Sequence, residues 1–263
     1  NSWINKSNIL IENNKNLEGL KFSEEAIKKY PTDKKLKNNY AVFLFKCGFQ
    51  KEALNIYREF DNQNSHFKDS YINYSNLLIL INDLSKALEV INKFILEDNN
   101  NLEALRQRAL IHKLLFDYNK SEEDLLTSLQ IDKLNIISNQ MIVKLYIDIK
   151  KYEEAIKYCD YMLSAEKDTN FFLTKKILCK INLGNWIGLE QDLKKFNNNL
   201  KYTQSSINPL SLKYINDDPL FQKNFTEYFW NEKPKNNYLS IISNEHKQKS
   251  VNAKIKIGYF SGD

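Results

Sequence analysis

Side-chain carboxamides recur in this sequence at a fixed interval. Asn5, Asn39, Asn73 and Gln107 stand in steps of 34 residues, and Met141 and Lys175 continue the series. A carboxamide carries two N–H donors and one acceptor oxygen. Four of them on one face can hold the N–H and C=O groups of an extended polypeptide without reading its side chains. Asn8 and Asn76, three positions further along, extend that surface. The bland alternative is chance, because 35 of the 263 residues are Asn. Lys37, Arg106 and Lys144 form no obvious set, so a clamp for acidic peptide tails is not expected.

Other chemistry is sparse. His66, His112 and His246 stand singly, without a His or Cys partner at metal-ligand spacing, and read as surface or groove residues. Cys47, Cys159 and Cys179 are odd in number and lack a CxxC spacing, so they read as buried reduced thiols and favour a cytoplasmic setting. No catalytic residue, metal or cofactor is assigned to this chain.

The elements that position the carboxamides follow from the same period. Gly19, Ala53, Ala87, Ser121, Ala155 and Leu189 mark one phase of it. Ser23, Tyr57, Ile91, Leu125, Cys159 and Leu193 mark another, and Ala26, Phe60, Phe94, Ser128, Met162 and Phe196 a third. Tyr118, Tyr152 and Trp186 repeat just before the small position. Each unit has room for two helices whose apolar residues fall at i, i+3, i+4 and i+7. Neither helix can bury its stripe alone, so stacked units share one continuous core, and the small residue lets the paired helix approach.

These residues resemble the tetratricopeptide repeat. Trp3 falls at that family's first aromatic position, Gly48 and Gly184 in its inter-helix turn, and Pro31 at the close of the first unit. The resemblance implies an all-α superhelix of about six repeats over residues 1–203, with first helices lining a concave groove. The carboxamide ladder would lie on that surface, making Asn5, Asn39, Asn73, Asn76 and Gln107 the candidate substrate-binding residues.

After residue 203 the phase stops. Asp218 before Pro219 reads as a helix N-cap with proline at the first helical position, inside a capping helical segment over 204–231. A polar linker follows over 232–253. Residues 254–263, Lys-Ile-Lys-Ile-Gly-Tyr-Phe-Ser-Gly-Asp, alternate with period two and read as a strand. A lone strand has no partner for its hydrogen-bonding groups.

A Pro-Leu-Ser-Leu stretch, Asp-Asp-Pro opening a helix, a polar linker and this final segment together resemble bacterial protein O-GlcNAc transferases and SPINDLY-like proteins. There, repeats lead into a glycosyltransferase region whose first strand and turn look like Gly258, Tyr259, Phe260, Ser261 and Asp263. The resemblance implies a truncated enzyme. This chain would bind acceptor proteins or peptides in its groove, and the parent would use a UDP-sugar, UDP-N-acetylglucosamine by the resemblance. The residues that would hold that donor have no counterpart here, and the chain alone is expected to lack transferase activity. The alternative is a stand-alone tetratricopeptide interaction scaffold.

Composition excludes other classes. Hydrophobic residues are 42% and charged residues 27%, a globular balance. Only 6 Gly and 4 Pro occur, too few turn formers for a barrel or sandwich. No run approaches 18 apolar residues, so no membrane partner is expected. The net charge of +5 comes from Lys, with 3 Arg and no basic cluster interleaved with aromatics, so no nucleic-acid partner is expected.

Overall fold

A computed structural model describes residues 2–63, 65–199, 218–220, 222–223 and 226–227. Among them are twelve helices in six antiparallel pairs. The first helices are α1 (Ser2–Glu12), α3 (Lys34–Lys46), α5 (Lys68–Leu80), α7 (Leu102–Leu114), α9 (Ile136–Asp148) and α11 (Thr169–Leu183). The second helices are α2 (Asn16–Lys29), α4 (Gln50–Asn62), α6 (Leu84–Glu97), α8 (Tyr118–Ile131), α10 (Tyr152–Ser164) and α12 (Leu189–Asn199). Each first helix packs on the first helix of the next repeat, while successive second helices make no comparable contact. That asymmetry curves the stack and puts α1, α3, α5, α7, α9 and α11 on its inner side.

The three periodic phases are the core. Ala53, Ala87 and Ala155 are wholly buried, and so are Phe60, Met162, Tyr57 and Cys159 to within a few per cent. Gly19 has its own reason. A Cβ there would stand 2.0 Å from the Phe43 ring, so only glycine admits this aromatic from the next repeat.

The turn inside each repeat is built on one left-handed residue. Asn14, Gly48, Asn82, Phe116, Lys150 and Gly184 all have positive φ, and they too lie in steps of 34. The two glycines expected in the turn are therefore part of a wider rule, because this backbone shape is required in every repeat. Caps also recur. Asp33, Asn101 and Asn135 accept main-chain N–H bonds at the starts of α3, α7 and α9, and Asp83 and Asp117 do so at α6 and α8. At α5 the cap is reversed: Phe67 N–H donates to Ser70 Oγ at 2.8 Å.

Trp186 keeps the phase of Tyr118 and Tyr152, which open α8 and α10, but it does not open α12. It is 69% exposed in a loop with left-handed Gly184 and Gly188, and α12 begins at Leu189. Lys180 fastens that loop by donating to the Ile187 carbonyl (2.9 Å) and to Asp192 (2.6 Å). His66 and His112 are not surface residues. The His66 side chain is 2% exposed and stacks on Tyr71 and Tyr74, and His112 is buried in α7. Cys159 and Cys179 are buried free thiols, but Cys47 is only half-buried.

Asp218 caps as expected, its Oδ1 accepting from Leu220 N–H at 2.9 Å. Most of the capping segment over 204–231, the linker over 232–253 and the strand over 254–263 lie outside the described residues.

Candidate functional site

The ladder residues all lie on first helices, and the structure shows how each is held. Asn39 Nδ2 donates to Asn8 Oδ1 at 2.9 Å, joining α3 to α1. Gln107 Nε2 donates to Asn76 Oδ1 at 2.7 Å, joining α7 to α5. Asn73 Nδ2 donates to Asn38 Oδ1 at 3.2 Å. That oxygen also accepts from Tyr57 OH at 3.2 Å, and Asn38 Nδ2 donates to Asn39 Oδ1 at 3.4 Å. Asn5 is exposed, and its carboxamide bonds to none of the described residues.

The five candidate residues are thus not equivalent. Asn39 is 7% exposed and its donor and acceptor are both engaged within the chain, so it is chiefly a clasp between repeats. Asn73 and Gln107 are half-buried, and Asn76 is exposed. A carboxamide pair that spends one donor and one acceptor on itself keeps one carbonyl oxygen and one NH2 group free, whichever partner donates. That remainder matches a peptide unit, which presents one N–H and one C=O. Asn38, a buried hub 3% exposed, was not singled out from the sequence; its signal was its place beside Asn39 on the inner helix.

The ladder loses its carboxamides in the last two repeats. Met141 is half-buried. Lys175 Nζ lies 5.7 Å from the centre of the Phe171 ring, with Lys144 Nζ at 5.3 Å from the same ring. Lys37 pairs with Glu59 at 2.7 Å, and Arg106 donates to Asn135 Oδ1 at 2.9 Å. The three basic residues weighed for an acidic-tail clamp are therefore dispersed.

Among the described residues no group of three His, Cys, Asp or Glu side chains could hold a metal ion, and no helix is long and apolar enough to cross a membrane. Burial pushes the Cys179 thiol up to about 12 and raises Cys159 further, which keeps both protonated.

Solved structures with this architecture include a tetratricopeptide repeat protein from Parabacteroides merdae, 17% identical, TM-score 0.60, covering 87% of this chain and 98% of that one. The type IV pilus biogenesis factor PilW is 14% identical with a TM-score of 0.66, covering 77% of this chain and 94% of its own. Pseudomonas aeruginosa pilF is 12% identical with a TM-score of 0.62, over 77% and 92%. The fold is a tetratricopeptide-repeat superhelix. At these identities the likeness is one of fold. No family model matches the chain, and no curated protein matches it. The carboxamides sit on the first helices of this superhelix, which pack on one another.

Proposed function

We propose that this chain is a protein-interaction superhelix that holds an extended polypeptide in its concave groove through carboxamide contacts to the peptide backbone. The observation that carries this is the Asn76–Gln107 pair. It is orientated by its own hydrogen bond and keeps an acceptor and a donor free on the inner face. Pre-orientation matters, because a side chain already fixed loses less conformational freedom on binding. Asn5 adds a free carboxamide at one end, and Asn73 keeps its acceptor. The test is binding of a library of extended ten-residue peptides, followed by N76A+Q107A on the best binders. Loss of about tenfold in affinity is expected for two backbone hydrogen bonds. Unchanged affinity defeats the reading.

A finer form makes the superhelix the acceptor-recognition arm of a protein O-GlcNAc transferase-like glycosyltransferase, acting from a UDP-sugar in a cytoplasmic setting. Its support is the sequence from Lys254 to Asp263, outside the described residues, joined to the helix start at Asp218 and Pro219. In this form the chain alone is expected to lack transferase activity, since no donor-binding residues are recognised here, and turnover of UDP-N-acetylglucosamine by the isolated chain would contradict that expectation.

A further inference from the structure

The slot between successive first helices changes chemistry along the groove. Two ladder residues meet the side chain 31 positions earlier, Asn39 meeting Asn8 and Gln107 meeting Asn76, whereas Asn73 meets Asn38. The same offset brings Lys175 to Lys144. A carboxamide pair closes its slot because one partner donates and the other accepts. Two ammonium groups carry only donors and cannot close it. Their Nζ atoms lie instead 5.3 Å and 5.7 Å from the centre of the ring of Phe171, a residue only 5% exposed.

Nearby carboxylates are committed elsewhere. Asp148 pairs with Lys113, and Asp160 and Asp192 are held by Lys176, the latter also by Lys180. Among the described residues neither Lys144 nor Lys175 makes an ion pair. Burial, and then the charge of Lys144, hold the Lys175 ammonium below the usual lysine range. Two cations thus share one ring without an ion-pair partner among the described residues, Lys175 half-buried and Lys144 exposed, at the offset where Asn8–Asn39 and Asn76–Gln107 complete a hydrogen bond.

We propose that Lys144 and Lys175 form a two-cation slot, floored by Phe171, that receives the carboxylate of an acidic side chain on the polypeptide lying in the groove. This rests on the groove reading above. The carboxamide slots of the earlier repeats contact backbone and leave sequence unread. The last slot adds selection, requiring Asp or Glu at one point along the ligand. One carboxylate has an oxygen for each ammonium, so a single acidic residue satisfies both.

The test uses the full chain with two capped peptides, tetraglutamate and tetraglutamine, and follows the lysine side-chain resonances by NMR. Tetraglutamate is expected to move the Lys144 and Lys175 signals and to bind at least about tenfold tighter than tetraglutamine, as charge-assisted hydrogen bonds imply. The preference should vanish in K144M and in K175M and survive in K144R+K175R. Circular dichroism checks that each variant is folded. A preference that persists in K144M+K175M overturns the slot. Equal binding of both peptides, weakened alike by N76A+Q107A, overturns the slot and leaves the groove reading standing. Movement of both lysine signals by inorganic phosphate while neither peptide binds overturns the peptide occupant together with the groove reading.

Discussion

Asn39 Nδ2 lies 2.9 Å from Asn8 Oδ1, and this bond ties the first helix of repeat two to that of repeat one. A residue whose type and phase suggest ligand contact is here part of the scaffold. Asn39→Ala removes that bond and the acceptor for the buried Asn38 amide. A loss of about 1–2 kcal/mol is expected from a half-satisfied buried polar group. Asn5→Ala, at the same phase but exposed and unbonded, should change stability by less than about 0.5 kcal/mol. Urea denaturation of the two variants separates these outcomes. Equal midpoints would show that the Asn8–Asn39 bond adds nothing.

Gly19 and Phe43 make a second matched pair. The position equivalent to Gly19 is Ala53, Ala87, Ser121 and Ala155 in the next four repeats, and the residue in register with Phe43 is Leu77, Ile111, Leu145 and Cys179. The glycine occurs where the facing residue is an aromatic. Gly19→Ala gains up to about 1 kcal/mol of helix propensity. It also forces a Cβ into a ring that is itself wholly buried, an overpacking cost of about 1–3 kcal/mol. Net destabilisation is expected, and the double variant G19A+F43L should recover part of it. Additive losses in the double variant would mean that the two residues do not constrain each other.

Most of the fold could be read from the period because burial in a solenoid repeats with the repeat. Ala53, Ala87 and Ala155 fill one packing slot, and the sequence shows it directly. What escaped was set by local departures from the repeat. Trp186 has the right phase for a helix start, but Gly188 and the Lys180 bridge to Ile187 and Asp192 delay α12 to Leu189. His66 looks isolated along the chain, and only packing brings Tyr71 and Tyr74 against it. At the groove, the phase identified which helix face the carboxamides share. Which of them bond to each other depends on an offset between neighbouring helices that composition does not display.

The left-handed turn position gives a stabilising prediction. Lys150 holds φ at +61°, a conformation that costs a side-chain-bearing residue about 1 kcal/mol and glycine almost nothing. Its side chain is exposed. Lys150→Gly should therefore raise the melting temperature by about 2–3 °C for a chain of this size. The gain should be smaller at Phe116→Gly, because Phe116 packs edge-on against Tyr118 at 6.3 Å. Gly48→Ala, at φ +91°, should lower the melting temperature. Calorimetry on the three variants checks the order. A lower melting point for Lys150→Gly would show that chain entropy in the unfolded state outweighs the relief of strain.

His66 makes stability depend on acidity. Its ring is stacked between aromatic neighbours, its Nε2 has no hydrogen-bond partner among the described residues, and Asp61 at 3.7 Å is already held by Lys86 and Lys93. Burial, only partly opposed by Asp61, lowers its pKa to about 4. In the unfolded chain the value returns to about 6.5. Between those limits the unfolded chain binds a proton that the folded chain refuses. Stability is therefore fully present above pH 6.5 and is lost as pH falls towards 4, by at most about 1.4 kcal/mol per pH unit for one proton. His66→Phe keeps the ring stack and removes the proton site. Carboxylates titrate in both proteins and cancel in the difference. The stability of H66F relative to the parent, from urea midpoints, should rise steadily from pH 6.5 to pH 4. A constant difference across that window would mean that His66 is protonated inside the fold and that Asp61 compensates its charge.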